Sequence, residues 1–308
     1  MSSRSSFRPR DVVLLVVLAL VWGNSFLFIK LAVAVLAPAW IVTIRMTLGA
    51  ALVLCIAVVT RTPRPVGWAS LLRLGLIGIF GSALPWLGQA WAQRSLDSGL
   101  VSVLNATTPV STLLLAVAIR QERLYANRVL GLAIAVLGML LIVGVEIRAG
   151  RSTLALLTAV ACTMGYAVAA VLTRAYVSGQ ISNVWAAATQ LAFGAALVGP
   201  LSWTIAGPLP ALTTLEPAVI AALLALGLLG TGTAFLIYFS LLERVGATNT
   251  SMVTYLVPIV GMASGALVRG ERFGANVFVG ALTMMVGVWL AQRAPRQGDG
   301  TKLGLTKR

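Results

Sequence analysis

Ser82, Trp86, Gln89 and Gln93 follow one another at intervals of 4, 3 and 4 residues in an otherwise apolar stretch. On a helix this spacing puts a hydroxyl, an indole and two amides on one face. Thr231, Phe235, Tyr238 and Leu242 repeat the same intervals in a second apolar stretch. Two further stretches carry Ser102, Asn105 and Pro109, and Ser251, Thr254 and Pro258. Trp22, Asn24 and Ser25 sit together in one more apolar run, Tyr166 lies in another, and Tyr255 adjoins Thr254. Aromatic walls with a few neutral hydrogen-bonding groups suit a cavity for a zwitterion with an apolar side chain, so an amino acid is the expected small-molecule substrate. The same residue types also serve ordinary helix–helix hydrogen bonding in membranes. Arg45 is the one basic residue placed inside an apolar run; it either meets a substrate carboxylate or reaches outward to backbone and headgroups.

Other chemistries are poorly supplied. The chain has no histidine, which removes the commonest metal ligand and general base. Its two cysteines, Cys55 and Cys162, lie inside apolar runs and read as small buried thiols. All eight acidic residues fall at the ends of apolar runs, in connections or in the tail. A carboxylate relay for protons or sodium within the membrane is therefore not expected, and facilitated diffusion is the simpler reading. No cofactor and no metal is expected. An enzyme would need an activated nucleophile or metal cluster, and neither pattern is present.

These groups need helices to position them, and the composition says where. Hydrophobic residues make up 59% of the 308, charged residues only 10%, and the mean hydropathy is +0.95. Such a chain faces lipid on its outside. The net charge of +15 sits between apolar runs and at the termini, where it meets anionic headgroups; nucleic acid is not an expected partner. A helix needs about 20 apolar residues to cross the hydrocarbon. Ten such spans are expected near 11–31, 38–60, 70–93, 98–119, 126–146, 152–174, 182–204, 217–242, 247–268 and 274–292. The basic residues before the first span resemble the start of a signal peptide, but the run is too long for one and reads as a retained helix.

The second half repeats the first. Arg120-Gln-Glu-Arg-Leu-Tyr-Ala-Asn127 matches Arg269-Gly-Glu-Arg-Phe-Gly-Ala-Asn276 at an offset of 149, which also pairs Gly78 with Gly227, Gly81 with Gly230 and Pro109 with Pro258. Earlier in each half the offset is 145, pairing Trp40 with Trp185 and Gly49 with Gly194. Five spans per repeat is odd, so the copies are inverted in the membrane, as in many secondary transporters. The fold class is thus an all-α integral membrane protein of ten transmembrane helices, in two inverted five-helix repeats. The units are 1–149, 150–293 and a basic tail 294–308, forming one membrane domain. With the amino terminus cytoplasmic, sixteen basic residues lie inside and six outside, which predicts both termini inside. Pro109 and Pro258 should kink their helices and are candidate hinges. Gly131 and Gly138, like Gly280 and Gly287, recur every seven residues and predict close helix packing. The Glu-Arg turns at 122–123 and 271–272 are expected to cap helices or pair locally.

Trp22-Gly23-Asn24-Ser25 with Lys30, the prolines Pro109 and Pro258, and the duplicated turns Glu122-Arg123 and Glu271-Arg272 together resemble the EamA-type branch of the drug/metabolite transporter superfamily. The resemblance covers about 11–292 and, within the branch, is nearest to the YddG-type exporters of aromatic and other amino acids. It implies a bacterial inner-membrane protein that moves metabolites outward by alternating access. It implies a cavity among spans one to four and six to nine, with spans five and ten outside. The small four-helix multidrug members carry a glutamate in their first span for proton exchange; the first span here has none, so that mechanism does not transfer. Export of drugs or nucleotide sugars is the alternative, although a pyrophosphate should select more than one intramembrane cation. A receptor or scaffold has no need of the two-sided access that inverted repeats generate.

Overall fold

The backbone of so apolar a chain must satisfy its hydrogen bonds internally, and helices do so within each segment. In the computed structural model, which describes residues 8–63, 67–121, 125–176 and 181–292, every regular element among the described residues is helical. Span one is Pro9–Ala32, span two Pro38–Val59, span three Trp68–Ala92, span four Ser98–Ala118 and span five Ala126–Arg148. Span six is Thr153–Tyr176, span seven Asn183–Ala206, span eight Pro217–Gly246, span nine Val253–Arg269 and span ten Ala275–Gln292. Proline begins spans one, two and eight, where its missing N–H breaks no helical bond. At the start of span one the Asp11 carboxylate accepts the Arg8 N–H at 3.2 Å. The tail 294–308 and the turn Glu122-Arg123 lie outside the described residues.

Nine of these helices have 18 or more residues; span nine has 17 and is the short one. The expected span 247–268 is interrupted near its start. Gly246 takes φ 78°, a left-handed conformation that favours glycine, and a turn at Ser251–Met252 precedes the regular helix. Span four is broken at its middle, by a turn at Ala106–Thr107. Pro109 follows that break as the second residue of the helical segment Thr108–Ala118, whereas Pro258 lies inside continuous helix. The duplicated prolines therefore occupy different local structures.

The duplication is written in the backbone of spans three and eight. Both contain wide π-helical turns, at Ile79–Ala83 and Ala225–Thr233. A shift of 149 carries the first segment onto residues inside the second. Such turns leave carbonyl groups without their usual helical donor and frequently mark functional positions.

The repeats interlock. Span two pairs with span seven and with the wide turn of span eight, span one packs on span nine, and span six packs on spans three and four. Spans five and ten pair with each other along their length. A Cβ on Gly287 would lie 2.3 Å from the Ala135 nitrogen, and one on Gly131 would lie 2.4 Å from the Ala291 nitrogen. The helices approach backbone to backbone, which only glycine permits. Outward faces keep large apolar side chains exposed, such as Leu137 at 62% and Leu282 at 65%, as a surface in contact with acyl chains requires.

Candidate functional site

Span two carries Arg45 into the protein interior. It is the one basic side chain buried among the described residues, 5% exposed. The close approach of spans two and eight fixes it there: a Cβ on Gly49, one turn on, would lie 2.5 Å from Thr231 Cγ2. Arg45 Nε donates to Thr231 Oγ1 at 2.8 Å, and Nη2 makes a longer contact of 3.4 Å to the Gly230 carbonyl. Both partners belong to the wide turn of span eight. Thr231 Oγ1 in turn donates to the Leu226 carbonyl, five residues back, at 2.9 Å. The guanidinium carbon lies 3.6 Å above the Trp86 ring, a cation–π contact shielded from water.

Around this pair the structure gathers most of the residues singled out by spacing. Trp86 meets Phe235 edge-on with centroids 6.4 Å apart, and Trp22 meets Tyr238 at 5.5 Å. Gln89 Nε2 donates to Asn105 Oδ1 at 2.7 Å, tying span three to the broken segment of span four. The Tyr166 side chain, from span six, interacts with Arg45, Gln89 and Trp86. Phe239 joins the aromatic groups, 6.0 Å from Phe235 and 5.6 Å from Tyr238. It follows Phe235 by four residues, one helical turn, a signal that the 4, 3, 4 pattern passed over. Thr231 is the other addition. It appears in the sequence only as the counterpart of Ser82, and its partner on span two is set by the packing.

Other predicted residues lie differently. The Asn24 amide donates to the Leu20 carbonyl of its own helix at 2.8 Å. Ser82 is 1% exposed, and its hydroxyl has no partner among the described residues. Thr254 donates to the Ser251 carbonyl at 2.7 Å. Thr254 and Tyr255 line a small crevice with Ala106, Met284 and Val288, between spans nine, four and ten. The Tyr255 hydroxyl donates to Gln292 Oε1 at 3.1 Å. Tyr255 therefore packs toward span ten rather than into the aromatic group.

The described acidic residues stay at span ends. Asp11 pairs with Arg244 at 2.9 Å, and Asp97 with Arg151. Glu146 accepts from the Asn276 amide at 3.0 Å, and Glu243 from Asn183 at 2.6 Å. Glu271 caps span four. Its Oε1 accepts from the Ser98 N–H and hydroxyl, each at 2.8 Å, and its Oε2 accepts from the Gly99 N–H at 3.0 Å. Beside it Lys30 Nζ donates to the carbonyls of Gln93 and Leu96, at 2.7 and 2.8 Å, closing the end of span three. Lys30, Asp97, Arg151, Arg269, Glu271 and Arg272 line a charged, open depression at this end of the molecule.

A multi-pass helical bundle built from two inverted repeats, with polar and aromatic groups gathered where the repeats meet, defines a membrane transporter of small metabolites. The sequence model of the EamA-like transporter family matches residues 10–144 and again 153–292, so this chain belongs to that family, one match per repeat. The chain is similar to a probable amino-acid metabolite efflux pump of Escherichia coli, with 23% identity, covering 96% of this chain and 99% of that one. It is also similar to an uncharacterized transporter of Archaeoglobus fulgidus, with 23% identity over 88% of this chain and 95% of that one. One solved crystal structure shares the fold, with a TM-score of 0.65 at 18% identity over 94% of this chain and 98% of that one. The two curated relatives are named as a transporter and an efflux pump, not as enzymes.

Proposed function

We propose that the protein exports neutral amino acids, aromatic ones included, by alternating access at the group around Arg45 and Trp86. The observation that carries this reading is the single buried guanidinium, held on a ring face and a threonine hydroxyl with no carboxylate against it among the described residues. A substrate carboxylate is the counter-ion such a site lacks. The aromatic side chains of Trp22, Phe235 and Tyr238 suit an apolar side chain, and the Gln89–Asn105 pair supplies neutral hydrogen bonding. The printed name of the Escherichia coli relative, an amino-acid metabolite efflux pump, is in keeping with this. The protein works in a bacterial inner membrane with both termini cytoplasmic, its repeats being 1–149 and 150–293 and its basic tail 294–308. Pro109, next to the break in span four, and Pro258 are its candidate hinges.

The test is counterflow in proteoliposomes, comparing phenylalanine with a lipophilic cation for wild type, Trp86→Phe and Tyr238→Ala. Phenylalanine should exchange and the cation should not, and both variants should weaken exchange while retaining their unfolding temperature. Carriage of the cation without phenylalanine would overturn the substrate reading.

A further inference from the structure

We infer that the site recognises the carboxylate of its substrate and not the amino group, so that the protein also carries apolar monocarboxylates that have no ammonium. The inference rests on reading the Arg45–Trp86 group as the substrate site. It starts from a charge count. Arg45 brings one positive charge into the interior. Thr231, Gln89, Asn105, Tyr166, Trp22 and Tyr238 bring none.

The described carboxylates are all elsewhere. Asp11, Asp97, Glu146, Glu243 and Glu271 are engaged at span ends with Arg244, Arg151, Asn276, Asn183 and the amino end of span four. Glu216 stands just before the first residue of span eight. An ammonium arriving at the site meets no anion among the described residues.

Its neutral acceptors are also reduced. Asn105 Oδ1 already accepts from Gln89, and Thr231 Oγ1 already accepts from Arg45. Of the two tryptophan rings, the best type of ring surface for a cation, that of Trp86 is covered by Arg45. A monoanion bound here makes a neutral complex, a zwitterion leaves one positive charge, and an amine leaves two. In a desolvated site like charges repel and opposite charges attract strongly. The order of preference is therefore monocarboxylate at least equal to amino acid, and both above amine.

Three ligands that share one ring separate the contributions: 3-phenylpropionate, phenylalanine and 2-phenylethylamine. Binding to purified wild-type protein in detergent is measured by calorimetry. Exchange is measured in vesicles at pH 8, corrected for protein-free vesicles. The expected result is that 3-phenylpropionate binds and exchanges at least as well as phenylalanine. The amine should be weaker by on the order of tenfold or more, one like charge being worth at least that much at such a site. Arg45→Gln should remove the preference for the two carboxylates, and Arg45→Lys, which keeps the charge, should retain the order with weaker binding. Uptake of 3-phenylpropionate should follow an imposed membrane potential, because a net charge moves, and uptake of phenylalanine should not. If phenylalanine exchanges and 3-phenylpropionate neither binds nor exchanges, the ammonium is recognised and this inference fails while the amino-acid reading stands. If 3-phenylpropionate exchanges and phenylalanine does not, the carboxylate inference stands and the amino-acid reading fails. Preference for the amine sinks both.

Discussion

Thr231 is where the placement of Arg45 is most cleanly tested. Thr231→Val replaces the hydroxyl by a methyl of nearly the same size, so the tight contact of Thr231 Cγ2 with Gly49 is kept and no cavity opens. Two hydrogen bonds are lost: the 2.8 Å bond from Arg45 Nε and the 2.9 Å bond to the Leu226 carbonyl. A hydrogen bond to a charged group is worth about 1.5–3 kcal/mol. The lower end applies here, because the guanidinium keeps its ring face and its long contact to Gly230. With its anchor gone the guanidinium is no longer held in the orientation that meets a carboxylate. Affinity for phenylalanine should fall by about tenfold, the equivalent of ~1.4 kcal/mol. Thr231→Ser keeps the hydroxyl and should stay within about threefold of wild type, since a well-placed hydroxyl supplies most of the effect. The assay is the concentration dependence of counterflow, paired with thermal unfolding in detergent. A purely structural Arg45 predicts a lowered unfolding temperature in Thr231→Val with unchanged affinity. That result would refute the assignment of Arg45 to substrate.

Three other expectations follow from the packing and charge placement. Gly287→Val puts atoms where the Ala135 backbone nitrogen and the Gly131 carbonyl now sit, so spans five and ten must separate; the unfolding temperature should drop by several degrees, and an unchanged value would mean that the pair is not packed as described. Glu271→Ala removes three acceptor contacts from the start of span four and should cost about 1–2 kcal/mol, read as a lower unfolding temperature, with Glu271→Gln recovering part of it. Because the described carboxylates lie at span ends, exchange of phenylalanine should persist with equal pH and equal sodium on both sides; a strict requirement for either gradient would point to an ion site within the spans.

Much of the architecture was legible in the sequence because the bilayer imposes a simple rule. A run of apolar residues long enough to cross it becomes a helix, and an odd number of spans per repeat forces inversion. The 149-residue register pairs Gly78 with Gly227 and Gly81 with Gly230, in the segments where the structure places the wide turns of spans three and eight; the turns themselves are not readable from it. The glycine pairs of spans five and ten were readable, since seven-residue spacing keeps small residues on one face. Helical spacing also placed Trp86 and Gln89 on one face, and Phe235 and Tyr238 on another.

Which faces meet is a different matter, decided only by the tertiary structure. Periodicity gives the direction of a side chain about its own helix axis and carries no information about the neighbouring helix. Arg45 has a neutral counterpart at Gln190, and nothing in its neighbourhood along the chain announces that it lies on Trp86, 41 positions away, or bonds Thr231 in the other repeat. Thr254 and Tyr255 share the sequence pattern of the other candidates, yet the break after Gly246 changes how span nine enters the bundle, and both face the crevice beside span ten. Pro109 and Pro258 are aligned residues with different surroundings: one follows a broken turn, the other sits in unbroken helix. The sequence determined the number of crossings and their pairing as repeats, because burial in lipid acts on each segment separately. The location of the guanidinium, and hence the charge of the site, was decided by helices packing against helices, because that depends on close contacts between residues far apart in the chain.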